Sequence, residues 1–342
     1  MPLLQAQEMT YTRVQELRRD RSIGFLSASA LEVHGPHLPL GMDMFAARWM
    51  AEESARRFAE GYPDWTVVLY PHIPLGTDEL PLPGSVDGTQ QTVYRALLAH
   101  GASLAGAGFG YAVVTNGHGG PRHAAAVEAA CRDASRRYGI KMFSPSIAVL
   151  YGIVNGGRHE QIESHLGRAL TEKERQGLLH GEHAGTMETS FALAERPKQV
   201  EETYQELNQM GPPSFAPVAV LGKVVAPLFG DGSRRIQEVS NSLAGGVGWL
   251  LNARYGFGGE PVTYQGDPSA ASAELGHAIR ETMVQGCLEY VEKVTAGELA
   301  AEEVRSIASD PAIIQPGFWQ RLGLLSAVAL GAASLVWALR RG

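Results

Sequence analysis

The sequence predicts an α/β protein, doubly wound or a three-layer α/β/α sandwich, around a mostly parallel central sheet. Three observations carry this. Short β-rich apolar runs alternate with longer helical patterns, as crossovers on a parallel sheet require. The best strand, Gly110-Tyr-Ala-Val-Val-Thr115, runs directly into Asn116-Gly117-His118-Gly119-Gly120 and then a helical pattern from His123 to Arg136. That is a strand-loop-helix unit of a parallel sheet. The residues richest in chemistry also fall at element boundaries, and open α/β sheets collect their sites outside the carboxyl ends of strands.

In chain order, Thr10 to Arg19 reads as a surface helix, and Ile23 to Leu26 as a strand that could continue to Glu32. Helical patterns follow over Met44 to Phe58 and Thr89 to Gly106, separated by a strand at Thr66 to Leu69, and a further helix opens near Thr186 and runs through Ala194. The span from Glu201 to Gly258 is looser and rich in Gly and Pro, which suits a lid, an oligomer contact or plain surface loops. Asp310-Pro-Ala-Ile-Ile-Gln-Pro316 has the composition of a linker, and Leu322 to Leu339 is uncharged up to Arg340-Arg341. As a helix this run would be about 27 Å long, close to the hydrocarbon thickness of a bilayer. Trp319 and Trp337 sit near its ends, where indoles favour the membrane interface. A buried C-terminal helix or an oligomer arm would use the same residues. The N-terminus has neither a positive n-region nor a long apolar h-region, unlike a signal peptide. The expected organisation is a main domain over 1–300, a linker over 301–318 and a tail anchor over 319–342 that leaves the main domain in the cytoplasm.

With 342 residues, 44% apolar and 19% charged, the chain can build one large core. Its net charge of -7 offers no basic face, which argues against nucleic-acid partners. Cys131 and Cys287 lie in helical patterns and read as small core hydrophobes, consistent with a reducing compartment.

Three clusters carry the chemistry. Glu32-Val-His34-Gly-Pro-His37-Leu-Pro-Leu-Gly-Met-Asp43 packs two carboxylates and two imidazoles into one loop whose prolines and glycines fix the backbone. Carboxylate oxygens and neutral imidazole nitrogens are what zinc, manganese and iron accept. If the strand continues this far, Glu32 and His34 leave the same face. His118 sits at the end of the best strand, among glycines that allow close backbone approach or a tight turn. The third cluster, Gly181-Glu182-His183-Ala-Gly-Thr186-Met-Glu188-Thr-Ser190, opens a helix; Glu188 could equally be a first-turn carboxylate facing the helix dipole, and Thr186 an N-cap.

Together the clusters resemble the creatininase (creatinine amidohydrolase) family. Its first motif is similar to Glu-x-His-Gly-x-His-Leu-Pro-Leu-x-x-Asp, met from Glu32 to Asp43, and its second to Asn-Gly-His-Gly-Gly, met from Asn116 to Gly120. The third resembles His-Ala-Gly-x-x-Glu-Thr-Ser, met from His183 to Ser190, and a softer likeness covers Gly266-Asp-Pro268 with Ala271-Ser-Ala-Glu274 and Gly276. Order and spacing agree over roughly residues 10 to 295. The resemblance implies a creatininase-like catalytic domain with two divalent ions (Zn, Mn or Fe), Glu32 and His118 holding one, His34 the other, and Asp43 bridging. Creatininase has a further carboxylate where Gly120 stands, and Glu188 is the candidate for that missing ligand. His183 matches the catalytic histidine. Paired ions acidify a water for attack on an amide carbonyl, and an imidazole, titrating near neutral pH, can protonate the departing nitrogen.

Departures concern the substrate wall. Thr186 and Pro121 stand where many relatives carry glutamate and asparagine. The segment Pro71 to Gly84 resembles the family's substrate loop but lacks its usual histidine, with Asp78 and Glu79 in that neighbourhood. His37, Asp78, Glu79, Gly119 and Glu182 are the candidate substrate contacts. The resemblance thus implies hydrolysis of an amide, cyclic-amide or formamide C–N bond in a small molecule or short peptide, by a homo-oligomer. A non-catalytic membrane-tethered scaffold or ligand-binding protein on the same fold is the alternative.

Overall fold

The computed structural model describes residues 3–318 apart from 180–181, 212–215, 311 and positions scattered through 234–259. Its sheet is built from β1 (Leu4–Gln5), β2 (Ser22–Ser29), β3 (Thr66–Leu69), β4 (Ile73–Pro74), β5 (Tyr111–Thr115) and β6 (Lys141–Phe143). The strand order is β1-β3-β2-β5-β6, with β4 beside the end of β2, and each of these pairings is parallel. Every residue of β2 is buried. Its side chains divide by alternation: Ile23 and Phe25 enter one apolar cluster, Leu26 and Ala28 another on the opposite face. Burial on both faces explains why its apolar run is nearly continuous.

Its helices include α1 (Tyr11–Gln15), α2 (Met42–Gly61), α3 (Gln90–Gly106), α4 (Pro121–Tyr138), α5 (Ser146–Val154), α6 (His159–Leu166), α7 (Glu172–Leu178), α8 (Thr186–Glu195), α9 (Ala216–Val225) and α10 (Ala273–Ala296). Helix α2 lays Ala51, Ala55 and Phe58 on Ile23 and Phe25, joined by Val291 and Val294 of α10. On the other face, Val93, Leu97 and Leu104 of α3 meet Val127, Ala130 and Ala134 of α4. Two glycines set close approaches: a Cβ at Gly101 would lie 2.6 Å from Ala134 Cβ, and one at Gly276 only 1.9 Å from the Ser190 carbonyl where α10 meets α8.

The crossovers explain where a site can form. From β2 the chain crosses through α2 to β3 on one side, whereas from β5 it crosses through α4 to β6 on the other. The crevice between the carboxyl ends of β2 and β5 is therefore the topological switch point. The loops after those two strands carry Glu32 to Asp43 and Asn116 to Gly120.

Several expectations change. The helix expected over Thr10 to Arg19 is only Tyr11–Gln15, capped by Thr10; it has no buried residue, so nothing draws the next turns into a helix. The stretch after Glu201 contains 3-10 turns at Glu202–Glu206 and Ala226–Gly232 around α9. Residues 301–309, expected to begin a linker, dock on the domain. Ala301 and Val304 join the apolar cluster, and the Glu128 carboxylate accepts from the Ser306 N–H at 3.0 Å and from the Ser309 hydroxyl. Among the described residues no helix is long and apolar enough to cross a membrane, and the run Leu322 to Leu339 lies outside them.

Candidate metal centre

The chain leaves the sheet after Ser29, so Glu32 and His34 do not share a strand face. Gly35, at φ 66°, and the prolines at 36 and 39 turn the loop instead, and Glu32 N–H closes it by donating to Leu40 C=O at 3.0 Å. The two side chains converge because His34 Nδ1 lies 3.0 Å from the Glu32 carbonyl. Asp43 follows in the first turn of α2, where a carboxylate is favoured by the helix dipole.

After β5, Asn116 clamps the loop around His118. Its side-chain oxygen accepts from His118 N–H and its amide donates to His118 C=O, both at 2.8 Å. Ser29 Oγ donates to the same oxygen at 2.8 Å and accepts from Gly117 N–H at 2.9 Å. Only glycine fits at 117, since a Cβ would sit 2.4 Å from the Asp43 carbonyl. The motif includes Asn116 but gives it no role; the structure shows it holding the His118 loop.

The third cluster enters from α8. His183 pairs with Gln265 across an antiparallel bridge, and Ala184 takes a left-handed conformation at φ 52°. Thr186 is not the N-cap. Gly185 holds that position without a side-chain bond, while Thr186 Oγ1 donates to the Asp267 carbonyl at 2.7 Å. Glu188 accepts from Ala184 N–H at 2.6 Å.

These residues meet in the crevice. Glu32 Oε2 and Asp43 Oδ2 each lie 3.0 Å from His118 Nδ1, Asp43 Oδ1 is 3.3 Å from His34 Nε2, and Glu188 Oε2 is 3.5 Å from that nitrogen. His183 Nε2 rests 2.7 Å from the Val33 carbonyl, with its ring centroid 4.4 Å from that of His34. Glu32, His34, Asp43 and His118 are buried; Glu188 and His183 are partly open, which marks the direction of approach. Two sets of ligand atoms, Glu32–Asp43–His118 and His34–Asp43–Glu188, each fall within 4.8 Å and share Asp43; Glu32–His34–His183 forms a third such set.

The donor chemistry fits divalent ions. Each buried ring has one nitrogen committed to a carbonyl, His34 Nδ1 to Glu32 and His118 Nε2 to Thr77 at 3.1 Å. With those nitrogens protonated, the other nitrogen of each ring turns a lone pair toward carboxylates, so a proton or a metal cation must lie between them. Glu32 Oε2, His34 Nε2 and Asp43 Oδ2 indeed lack a hydrogen-bonding partner.

The same field acts on protons when no metal is bound. Burial lowers the His34 imidazole, but Asp43 and Glu188 outweigh it and raise the ring to about 10. His118 is likewise lifted well above its usual range against burial by Glu32 and Asp43, while Asp43 is held well below the carboxylate range against burial by the two imidazoles. A raised imidazole contributes stability that is complete below its unfolded pKa, about 6.5, and lost as pH rises through the folded value; a lowered carboxylate contributes stability lost as pH falls below about 4. Burial also raises Glu188, which acts in the same direction as the rings. Chelated protein is therefore expected to lose Tm as pH rises from about 6.5 toward 10, whereas metal-loaded protein keeps it. Thermal unfolding with and without chelator measures this, and parallel profiles would count against cation replacement of the ring protons.

The family model for creatininase, creatinine amidohydrolase, matches residues 7–291. The chain belongs to the creatininase family. A structure of creatinine amidohydrolase (creatininase) is 20% identical, with TM-score 0.53, over 86% of this chain and 98% of that one. A manganese creatininase structure is 19% identical, TM-score 0.53, over 85% and 98%, and a variant creatininase of Zn–Zn type is 19% identical, TM-score 0.53, over 86% and 98%. At this identity the likeness is one of fold. No curated protein sequence matches the chain.

Within the creatininase family fold, Gly120 has a steric reason: a Cβ there would lie 2.4 Å from His118 Nε2 and 2.9 Å from Asp78 Cβ. Two candidate substrate contacts have other partners. His37 is buried with Nε2 2.8 Å from Thr189 Oγ1, and Glu182 accepts from Met187 and Glu188 N–H at 2.8 and 2.7 Å. Asp78 accepts from Arg122 N–H at 2.6 Å at the start of α4. Glu79 is buried, and burial with the neighbouring Asp87 pushes its carboxyl up to about 8. Gly119 alone of the five is exposed. The loop between β4 and α3 also reaches the centre directly, since Leu80 N–H donates to Glu32 Oε1 at 2.6 Å.

Proposed function

We propose that the chain is a metal-dependent amidohydrolase that cuts a C–N bond other than an ordinary peptide bond in a small molecule or short peptide. The observation that carries this is Asp43, whose two oxygens face two different imidazoles. Glu32, Asp43 and His118 would hold an inner cation, and His34, Asp43 and Glu188 an outer one. When bound, divalent ions at such positions supply Lewis acidity and a water acidic enough to ionise near neutral pH. The buried ligands exclude bulk solvent from the inner side, and the partly open Glu188 and His183 leave the outer side for substrate. His183, held through its Nε2 at 2.7 Å from the Val33 carbonyl, would protonate the departing nitrogen.

Metal analysis of purified protein, with a panel of cyclic amides, formamides and short peptides, tests the proposal. Two divalent ions per chain with turnover of one class is the expected result. Two ions without turnover across the panel favours a binding scaffold, and absence of bound metal even after loading with Mn²⁺ or Zn²⁺ overturns the reading.

A further inference from the structure

We infer that His37, Thr189 and Glu182 form a brace around the Ala184 turn, so that retention of the outer cation depends on three side chains that do not ligate it. This rests on the two-cation reading above. The Ala184 peptide is the joint. Its N–H donates to Glu188 Oε2 at 2.6 Å, the same oxygen that lies 3.5 Å from His34 Nε2, and its neighbour is His183. Alanine at φ 52° occupies a conformation that non-glycine residues adopt rarely and that persists only where the surroundings impose it.

The surroundings do so from two sides. Thr189 Oγ1 donates to the Ala184 carbonyl at 3.3 Å, which spends its only proton, so at its 2.8 Å contact with His37 it accepts from Nε2–H. Both Thr189 and His37 are buried, at 0% and 1% exposure, so neither bond can be exchanged for water. From the other side, the Glu182 carboxylate receives Met187 and Glu188 N–H, two first-turn donors that the helix itself leaves unsatisfied. Gly185 makes room for it, since a Cβ there would lie 2.3 Å from Glu182 Oε2. The turn is thus held through its carbonyl by Thr189 and through the start of α8 by Glu182. Glu188 moves only if one of these gives. His37 shares a loop with Glu32 and Asp43, but none of the brace bonds goes to Glu32, Asp43 or His118, so the brace bears on the outer position through Glu188.

The test is calorimetric titration of chelator-stripped chains with Mn²⁺ or Zn²⁺ alone. Thr189→Val keeps the side-chain shape and removes the hydroxyl. It is expected to bind the inner ion as the wild type does and the outer ion about 10–100-fold more weakly, the range found when groups behind a metal ligand are removed. Thr189→Ser, which restores the hydroxyl, should recover the outer site, a rescue that a general packing defect would not show. Glu182→Gln, whose amide puts an NH₂ group where one of the two accepting oxygens stands, is the second variant and should weaken the same site. Two wild-type sites with Thr189→Val and Glu182→Gln unchanged, or with both sites weakened equally, overturn the brace alone. A wild-type chain that takes up no second ion overturns the two-cation reading and the brace with it.

Discussion

Asp43→Ala is expected to empty both cation positions and to lower turnover by about a thousandfold or more, since Lewis-acid stabilisation is worth several kcal/mol. Asp43 is the only side chain common to the Glu32–Asp43–His118 and His34–Asp43–Glu188 sets, so its removal leaves two protein ligands at each. The two neighbouring carboxylates are not free to replace it. Glu32 is held by Leu80 N–H and Glu188 by Ala184 N–H, both at 2.6 Å. The metal-free variant should also lower both ring pKa values, because Asp43 supports the charge of His34 beside Glu188 and that of His118 beside Glu32. Elemental analysis of dialysed protein and turnover of the wild-type substrate measure the effect; unchanged metal content in the variant would sink the bridging assignment.

His183→Ala is expected to leave both ions in place and to reduce kcat by about 10²–10⁴-fold, the usual contribution of one general acid. His183 belongs to a third set with Glu32 and His34, so the geometry admits a second role as ligand. Metal content separates the two. Retained metal with lost turnover identifies a proton donor, whereas a variant that sheds an ion with its activity makes His183 a ligand. A substrate whose leaving nitrogen is already acidic should be rescued in the first case, because protonation then matters less.

The grouping of these candidate ligands was legible in sequence for a physical reason. Glu32, His34 and Asp43 lie within one loop, and His118 ends a strand whose burial on both faces makes it easy to find. Glycines and prolines around them announced turns, and their chemistry announced ligands. What escaped were side chains whose partners lie far along the chain. His37 meets Thr189 across 152 positions and Thr186 meets Asp267 across 81, and no local pattern distinguishes a histidine that props a turn from one that touches substrate. Strand periodicity placed Glu32 and His34 on one face, yet the chain had already left the sheet; backbone turns at Gly35 and a ring-to-carbonyl contact brought them together instead. The parallel sheet followed from alternation of strands and helices, while its switch point needed the crossovers in space. At the C-terminus, composition alone separated a linker from the domain, and it could not register that Glu128 receives the backbone of Ser306.

The loop between β4 and α3 gives one of its N–H groups, from Leu80, to Glu32 and one of its carbonyls, from Thr77, to His118. The segment that resembles the family's substrate loop and the hold on the candidate inner ligands are therefore the same piece of backbone. Under the proposed function, a substrate that shifts this loop would change cation affinity, and by thermodynamic reciprocity the cation would change substrate affinity by the same factor. If the chain holds cations as proposed, selection for a new substrate through residues 75–88 would act on metal retention as well, tying specificity to cation loading.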